Sequence, residues 1–345
     1  MSEKPAESLE IGLVLAKRFR VLQKLGEGGF GAVYKVEDVT AKGTFYALKC
    51  EFHSEDVEKK LKLEVQIMQR LEKRRHVARC IWSGKRDTFS YMVMTLLGDS
   101  LDSIVRKHGP WLNVSTQVRI GICALFGIKQ LHDIGYIHRD LKPGNIALGY
   151  KGTPDERHFL LLDFGMAREF VSDDANGHKL MRKPRERALF RGTSRYCSVA
   201  MHDRFEQGRV DDLWALAYLL AELRSELPWT EIDDKVKIGE MKRTMADEVL
   251  FKKSPTQMLE FVRVLRATTY FDRPDYERLF RMLDEVMRKA DYKWTDPYHW
   301  ELDRHASSIT KSVVSILKPG TTKKVAENVA PFFTVDDFKT NPIGF

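Results

Sequence analysis

Cysteine is scarce in this 345-residue chain: there are four, and no two stand in C-x-x-C spacing. This argues against a disulfide framework and a cysteine-based zinc site, and it reads Cys50, Cys80, Cys123 and Cys197 as reduced thiols of a cytoplasmic or nuclear protein. Long apolar runs are also missing. Residues 213–221 are uncharged and apolar, but a bilayer span needs roughly 20 such residues. The opening stretch, MSEKPAESLE, is charged and lacks the apolar core of a secretion signal. Internal repeats and low-complexity blocks are absent. No zinc-finger pattern or aromatic RNA-binding strand pair occurs, so neither a nucleic-acid nor a membrane partner is expected.

What is present is enough apolar material, 43%, for a large core. The net charge of +8 is unevenly spread. Residues 179–195 hold seven basic side chains (Lys179, Arg182, Lys183, Arg185, Arg187, Arg191 and Arg195) against the single acid Glu186. A run of this kind is commonly a solvated face, and a nucleic-acid binder driven by the positive charge would explain the charge and nothing else.

The patterning divides the chain. Alternation through residues 19–49, punctuated by Gly26, Gly28, Gly29 and Gly31, predicts a hairpin with a glycine-rich turn and then a third strand from Phe45. Ser54 as a cap, followed by Val57, Leu61, Val65 and Met68, predicts a helix. YMVMTLLG (91–98) is a further strand. Beyond Gly98 the period becomes helical: Val118, Ile122, Leu125 and Ile128 share a face that stops at Gly135, and VDDLWALAYLLAEL is apolar nearly all round. A strand-rich region before a helix-rich one predicts an α+β chain with two lobes.

Chemistry concentrates at five places. GEGGFGAV has the spacing G-x-G-x-x-G-x-V, where missing side chains let backbone amides approach phosphate oxygens. A strand follows it and not a helix, which argues against a dinucleotide fold. Lys49, in the apolar strand YALK, needs an anion, and both nucleotide phosphates and Glu64 on the next helix can supply one. In YIHRDLKPGN, Asp140 can orient a hydroxyl and accept its proton, Lys142 can steady a γ-phosphate, and Asn145 can offer an amide oxygen to magnesium. LLLDFG delivers a second metal ligand, the carboxylate of Asp163. Each motif is weak alone; five in this order are specific.

Together they resemble the protein-kinase signature over residues 19–290. HVARCIWSG, LHDIGYIHRDLKPGNIALG, LLDFGMAREF, FRGTSRYCSVAMH, RVDDLWALAYLLAEL, LPW and YFDRPDY resemble the casein kinase 1 superfamily more narrowly, and within it the tau-tubulin kinases. The usual Ala-Pro-Glu after the activation segment is replaced by SVAMH, as in that superfamily, although Ala200 stands where relatives carry asparagine.

The resemblance implies a bilobal kinase fold: an N-terminal extension (1–18), an N-lobe (19–96), a C-lobe (97–290) and a C-terminal extension (291–345). It implies ATP and Mg²⁺ as cofactors. The nucleotide site would comprise Leu25, Gly26, Glu27, Gly28, Gly29, Phe30, Gly31, Ala32 and Val33, with Ala47, Lys49, the gatekeeper Met94, Thr95, Leu97 and Ala147. Asp212 would hold the catalytic loop from beneath. Lys142 and Thr193 imply serine/threonine specificity, and the activation segment should need no phosphorylation. Lys179, Arg182, Lys183, Arg185 and Arg187 are expected to form a rim for acidic or previously phosphorylated protein substrates, with the protein a monomer. A kinase-fold scaffold that binds partners without phosphate transfer is the alternative reading.

Overall fold

The computed structural model describes residues 8–28, 31–52, 55–302 and 332–345. Alternating side chains and tight turns build a six-stranded antiparallel sheet in the order β1-β2-β3-β4-β6-β5. Its strands are β1 (Val14–Leu15), β2 (Phe19–Gly28), β3 (Gly31–Asp38), β4 (Phe45–Phe52), β5 (Cys80–Lys85) and β6 (Phe89–Thr95). The period of two sorts the residues between faces. Ala32, Tyr34, Val36, Leu48, Cys50 and Val93 close an outer core, while Ala47, Met92 and Met94 join the main core on the other face. Lys49 shares the parity of Ala47 and therefore points inward. Helix α1 (Glu55–Leu71) covers that face with Leu61 and Met68 buried and Glu64 between them. Ser54 lies outside the described residues, as does the side chain of Val57.

Strand β7 (Leu97–Ser100) leads into a helical lobe. Its helices are α2 (Leu101–His108), α3 (Val114–His132), α4 (Val199–His202), α5 (Arg209–Glu222), α6 (Lys235–Thr244), α7 (Asp247–Leu250), α8 (Gln257–Ala267) and α9 (Tyr276–Lys289). As its all-round apolarity requires, α5 is buried along almost its whole length, packed by α3 and α8. Short pairs carry the loops between helices: β9 (Ile146–Gly149) between β7 and β10 (Phe159–Leu161), and β8 (Tyr136–Ile137) with β11 (Arg168–Glu169).

Two elements were not foreseen. The basic segment begins as a hairpin, β12 (Val171–Asp173) against β13 (Lys179–Met181). Its turn is closed by the Asp174 carboxylate, which accepts the N–H groups of Asn176 and His178 at 2.8 and 2.9 Å. Near the chain's end, α10 (Val335–Lys339) packs on α3 and α9. Phe338 is fully enclosed and stacks on Phe280 with ring centroids 4.3 Å apart. Onward from there, Arg273 donates to the Thr340 carbonyl (2.8 Å) and Arg209 to that of Phe345 (2.7 Å), while Ile343 and Phe345 rest against Phe170 and Val171.

Candidate active site

Register between strands places the first half of the site. Val33 lies opposite Lys49 and Ala47 opposite Met94, so glycine-rich hairpin, lysine strand and gatekeeper strand share one face. Gly31 must lack a side chain: a Cβ there would stand 1.9 Å from the Cys50 carbonyl oxygen. Gly26 and Gly28 face open space. Leu25 is half-exposed at the rim, and Glu27 is paired with Lys24 at 2.7 Å. Ala32 departs from expectation, because the strand's alternation turns it into the outer core and leaves only its backbone for a ligand. Gly29 and Phe30 lie outside the described residues. At the lobe junction the Thr95 N–H is taken by the Arg79 carbonyl at 3.0 Å and is not free to donate to a nucleotide, and Leu97 is half-buried beside it. Ala147, on β9, is buried across the cleft.

Lys49 binds three carboxylates. Its Nζ lies 2.6 Å from Glu64, 3.3 Å from Asp163 and 3.8 Å from Glu51. Burial works against its charge, but Glu64 and Asp163 outweigh it and hold the ammonium above the usual lysine range. Burial raises Asp163 as well, yet Lys49 and His138 win and keep this carboxyl below its ordinary range. Asp163 sits at φ 62°, a left-handed conformation that a non-glycine residue adopts only under constraint, and accepts from the Gly165 N–H at 3.4 Å.

The catalytic loop follows α3 and is clamped from below. Asp212, buried at the start of α5, accepts the backbone N–H groups of His138 (2.7 Å) and Arg139 (2.8 Å) and the ring of His132 (2.8 Å). Burial opposes its charge, and these donors overcome that and hold the carboxyl below its ordinary range. His132 is itself fixed by the Tyr276 hydroxyl at 2.6 Å. Above the clamp, Thr193 donates to Asp140 Oδ1 at 2.7 Å, and Lys142 Nζ lies 3.0 Å from Oδ2. Asn145 donates its amide to the Asp140 carbonyl (2.9 Å), leaving its side-chain oxygen with no protein donor among the described residues. Asp163 is 42% exposed at its side chain. Two hard oxygen groups facing one cleft suit Mg²⁺.

The substrate rim differs from expectation. Arg182 is held by Glu169 at 3.1 Å and by the Val171 carbonyl, and Arg185 by both oxygens of Glu206, because these acids lie within reach once the segment folds back. Lys183, Arg187 and Arg191 make no ion pair among the described residues. Lys242 was not anticipated: on α6 it looks like a solvated charge, yet it is buried and donates to the carbonyls of Ser194 (2.8 Å) and Cys197 (2.6 Å), below Tyr218 and Trp229. Burial pulls its pKa down to about 8. Together with Ser198, which caps α4, it anchors the segment in which Ala200 departs from the expected pattern.

Residues 19–287 match the protein kinase domain family. A Caenorhabditis elegans protein provisionally named serine/threonine-protein kinase K06H7.1 is 62% identical over 340 residues, 98% of each chain. Casein kinase I C03C10.2, also a provisional name from that worm, is 30% identical over 313 residues, 87% of this chain and 89% of the other. A third worm protein, named inactive tau-tubulin kinase ttbk-6, is 32% identical over 241 residues, 68% of this chain and 83% of the other. With this match spanning the two lobes and the cleft between them, the chain belongs to the protein kinase domain family.

Proposed function

We propose that the chain is an active serine/threonine kinase of tau-tubulin-kinase-like character that moves the γ-phosphoryl group of ATP to protein hydroxyls. The observation that carries this is the joining of Lys49 to both Glu64 and Asp163 in the cleft where Asp140 is held by Thr193. Lys49, fixed by Glu64, is positioned to bind the nucleotide phosphates. Asp163 and Asn145 would hold Mg²⁺, which supplies charge neutralisation on those phosphates. Asp140 orients the incoming hydroxyl and receives its proton, and Lys142 beside it steadies the transferring group. Thr193 sets Asp140 for aliphatic hydroxyls. Because the Lys49–Glu64 pair is closed without any modified residue, activation requires no phosphorylation of the segment.

Acidic or phosphorylated protein substrates are favoured by the surplus of cations there, since Arg168 and Arg185 share Glu206 and Arg139 feels the charges of Arg168, Arg185 and Arg191 beside it. Of the expected rim, Lys183 and Arg187 carry this role, joined by Arg191, because Lys179, Arg182 and Arg185 are paired with Asp173, Glu169 and Glu206. A place in the cytoplasm or nucleus fits four unpaired cysteines, and the protein acts there as a monomer. A scaffold without transfer is the rival, and one relative is named inactive. Peptide-array phosphorylation with γ-labelled ATP decides between them: labelled serine and threonine, strongest beside acidic residues and weakened at such sites in Lys183→Ala/Arg187→Ala, supports the proposal. Nucleotide binding without label on any peptide supports the scaffold.

A further inference from the structure

Behind the lobe junction, away from the catalytic cleft, two histidines and an aspartate converge. His76 follows α1 in a left-handed conformation (φ 51°), and its Nδ1 lies 2.6 Å from Asp155 Oδ1. Asp155 and His158 belong to the turn between β9 and β10. This turn folds so tightly onto β9 that a Cβ on Gly149 would stand 1.9 Å from the Asp155 carbonyl oxygen. The His158 N–H donates to that same carbonyl at 2.8 Å, which directs its ring toward the Asp155 side chain, and Nδ1 comes within 3.8 Å of Oδ1.

His158 is 1% exposed, and among the described residues neither of its ring nitrogens has a hydrogen-bond partner. Leaving a buried polar atom unpaired costs about 1–3 kcal/mol, and a His76–Asp155 pair alone offers no compensation for it. One donor atom from each of the three residues lies within 4.8 Å of the others, and among the described residues this is the single such cluster of histidine, cysteine and acid groups. Trp294, Phe332 and Phe333 wall it on one side. On the other, a cavity of about 350 Å³ reaches His76 and Asp155 past Thr95 and Leu97.

We propose that His76, Asp155 and His158 form a zinc-binding site that ties the loop after α1 to the β9–β10 turn. Two imidazole nitrogens and one carboxylate oxygen are zinc ligands, with water from the cavity as the fourth. Magnesium prefers an all-oxygen shell. The two rings stack with centroids 4.0 Å apart and planes 18° apart, so one imidazole turns about its Cβ–Cγ bond when both nitrogens address a single ion. Arg75 and Arg79 stand nearby and weaken the affinity for a cation.

The test is a Zn²⁺ titration of the purified full chain against a chromophoric chelator, with Mg²⁺ in excess so that Asn145 and Asp163 are occupied. Wild type is expected to take up one equivalent and to melt at a higher temperature with it. Asp155→Asn and the shape-preserving His158→Phe should each weaken uptake about tenfold or more and lose the thermal shift; Co²⁺ should give visible bands in wild type only. Should His158→Phe fail to fold, Asp155→Asn, at a half-buried turn position, still decides. No stoichiometric uptake by wild type, or equal uptake by folded variants, overturns the proposal.

Discussion

The carboxylate of Asp212 accepts the backbone N–H of Arg139 at 2.8 Å, so a buried helix residue fixes the conformation of the loop that carries Asp140. Its second oxygen takes His138 and His132. Replacing one oxygen with an amide, Asp212→Asn, sets a donor against donors and shifts the loop. A displacement of about 1 Å costs on the order of 10²-fold in rate. Steady-state assays should therefore show kcat reduced by about that factor with the KM for ATP little changed. Undiminished kcat would remove Asp212 from this role.

Lys49 and Glu64 form a buried pair, and the two variants separate its structural from its chemical part. Lys49→Met leaves Glu64 enclosed without its cation, which costs about 3–5 kcal/mol when a buried pair is broken. It should also lower kcat/KM by about 10²-fold or more, as loss of one charge-stabilising donor does. Adding Glu64→Gln should recover much of the unfolding midpoint in urea but none of the activity. Recovery of both would mean that the pair serves folding alone.

The lobe architecture was legible because its causes are periodic: glycine spacing, alternation through Leu48 and Lys49, and the all-round apolarity of α5 each permit one arrangement. Lys49, Glu64, Asp140, Asn145 and Asp163 were legible as types at fixed spacing, and the fold brings them into one cleft. Ala32 shows the limit, since its place in the glycine motif says nothing of the face its strand parity gives it. Arg185, Lys242 and His158 were opaque for another reason. What decides each is a distant partner or the lack of one (Glu206, the Ser194 carbonyl, an unfilled nitrogen), and no local pattern records that.

Phe338 makes the chain's last described segment part of the helical lobe. It is fully buried against Phe280 and Phe126, and a Phe→Ala truncation in such a place costs about 3–5 kcal/mol. Phe338→Ala should lower the unfolding free energy by that amount in urea titrations. A change under about 0.5 kcal/mol, the usual size for a surface position, would show that α10 contributes nothing to the lobe.

Acid should destabilise the protein through His202. Burial pulls this imidazole down to about 4, whereas in an unfolded chain it titrates near about 6.5. Between those values the unfolded chain binds a proton that the folded one refuses, so the contribution is full above about pH 6.5 and disappears toward pH 4. Asp211, pushed up to about 6 by burial, acts in the opposite sense over part of that window. Melting temperatures of His202→Phe should fall less steeply with acid than those of wild type. Parallel curves would assign the acid sensitivity elsewhere.

Single-turnover transfer of labelled phosphate from ATP, measured for wild type and Asp140→Asn beside the thermal shift each shows with Mg·ATP, tests the central claim most directly. The account predicts transfer to serine or threonine by wild type, a rate lower by about 10²-fold or more in the variant as general-base loss requires, and equal thermal shifts. Equal rates, or nucleotide binding by wild type with no transfer at all, would contradict it.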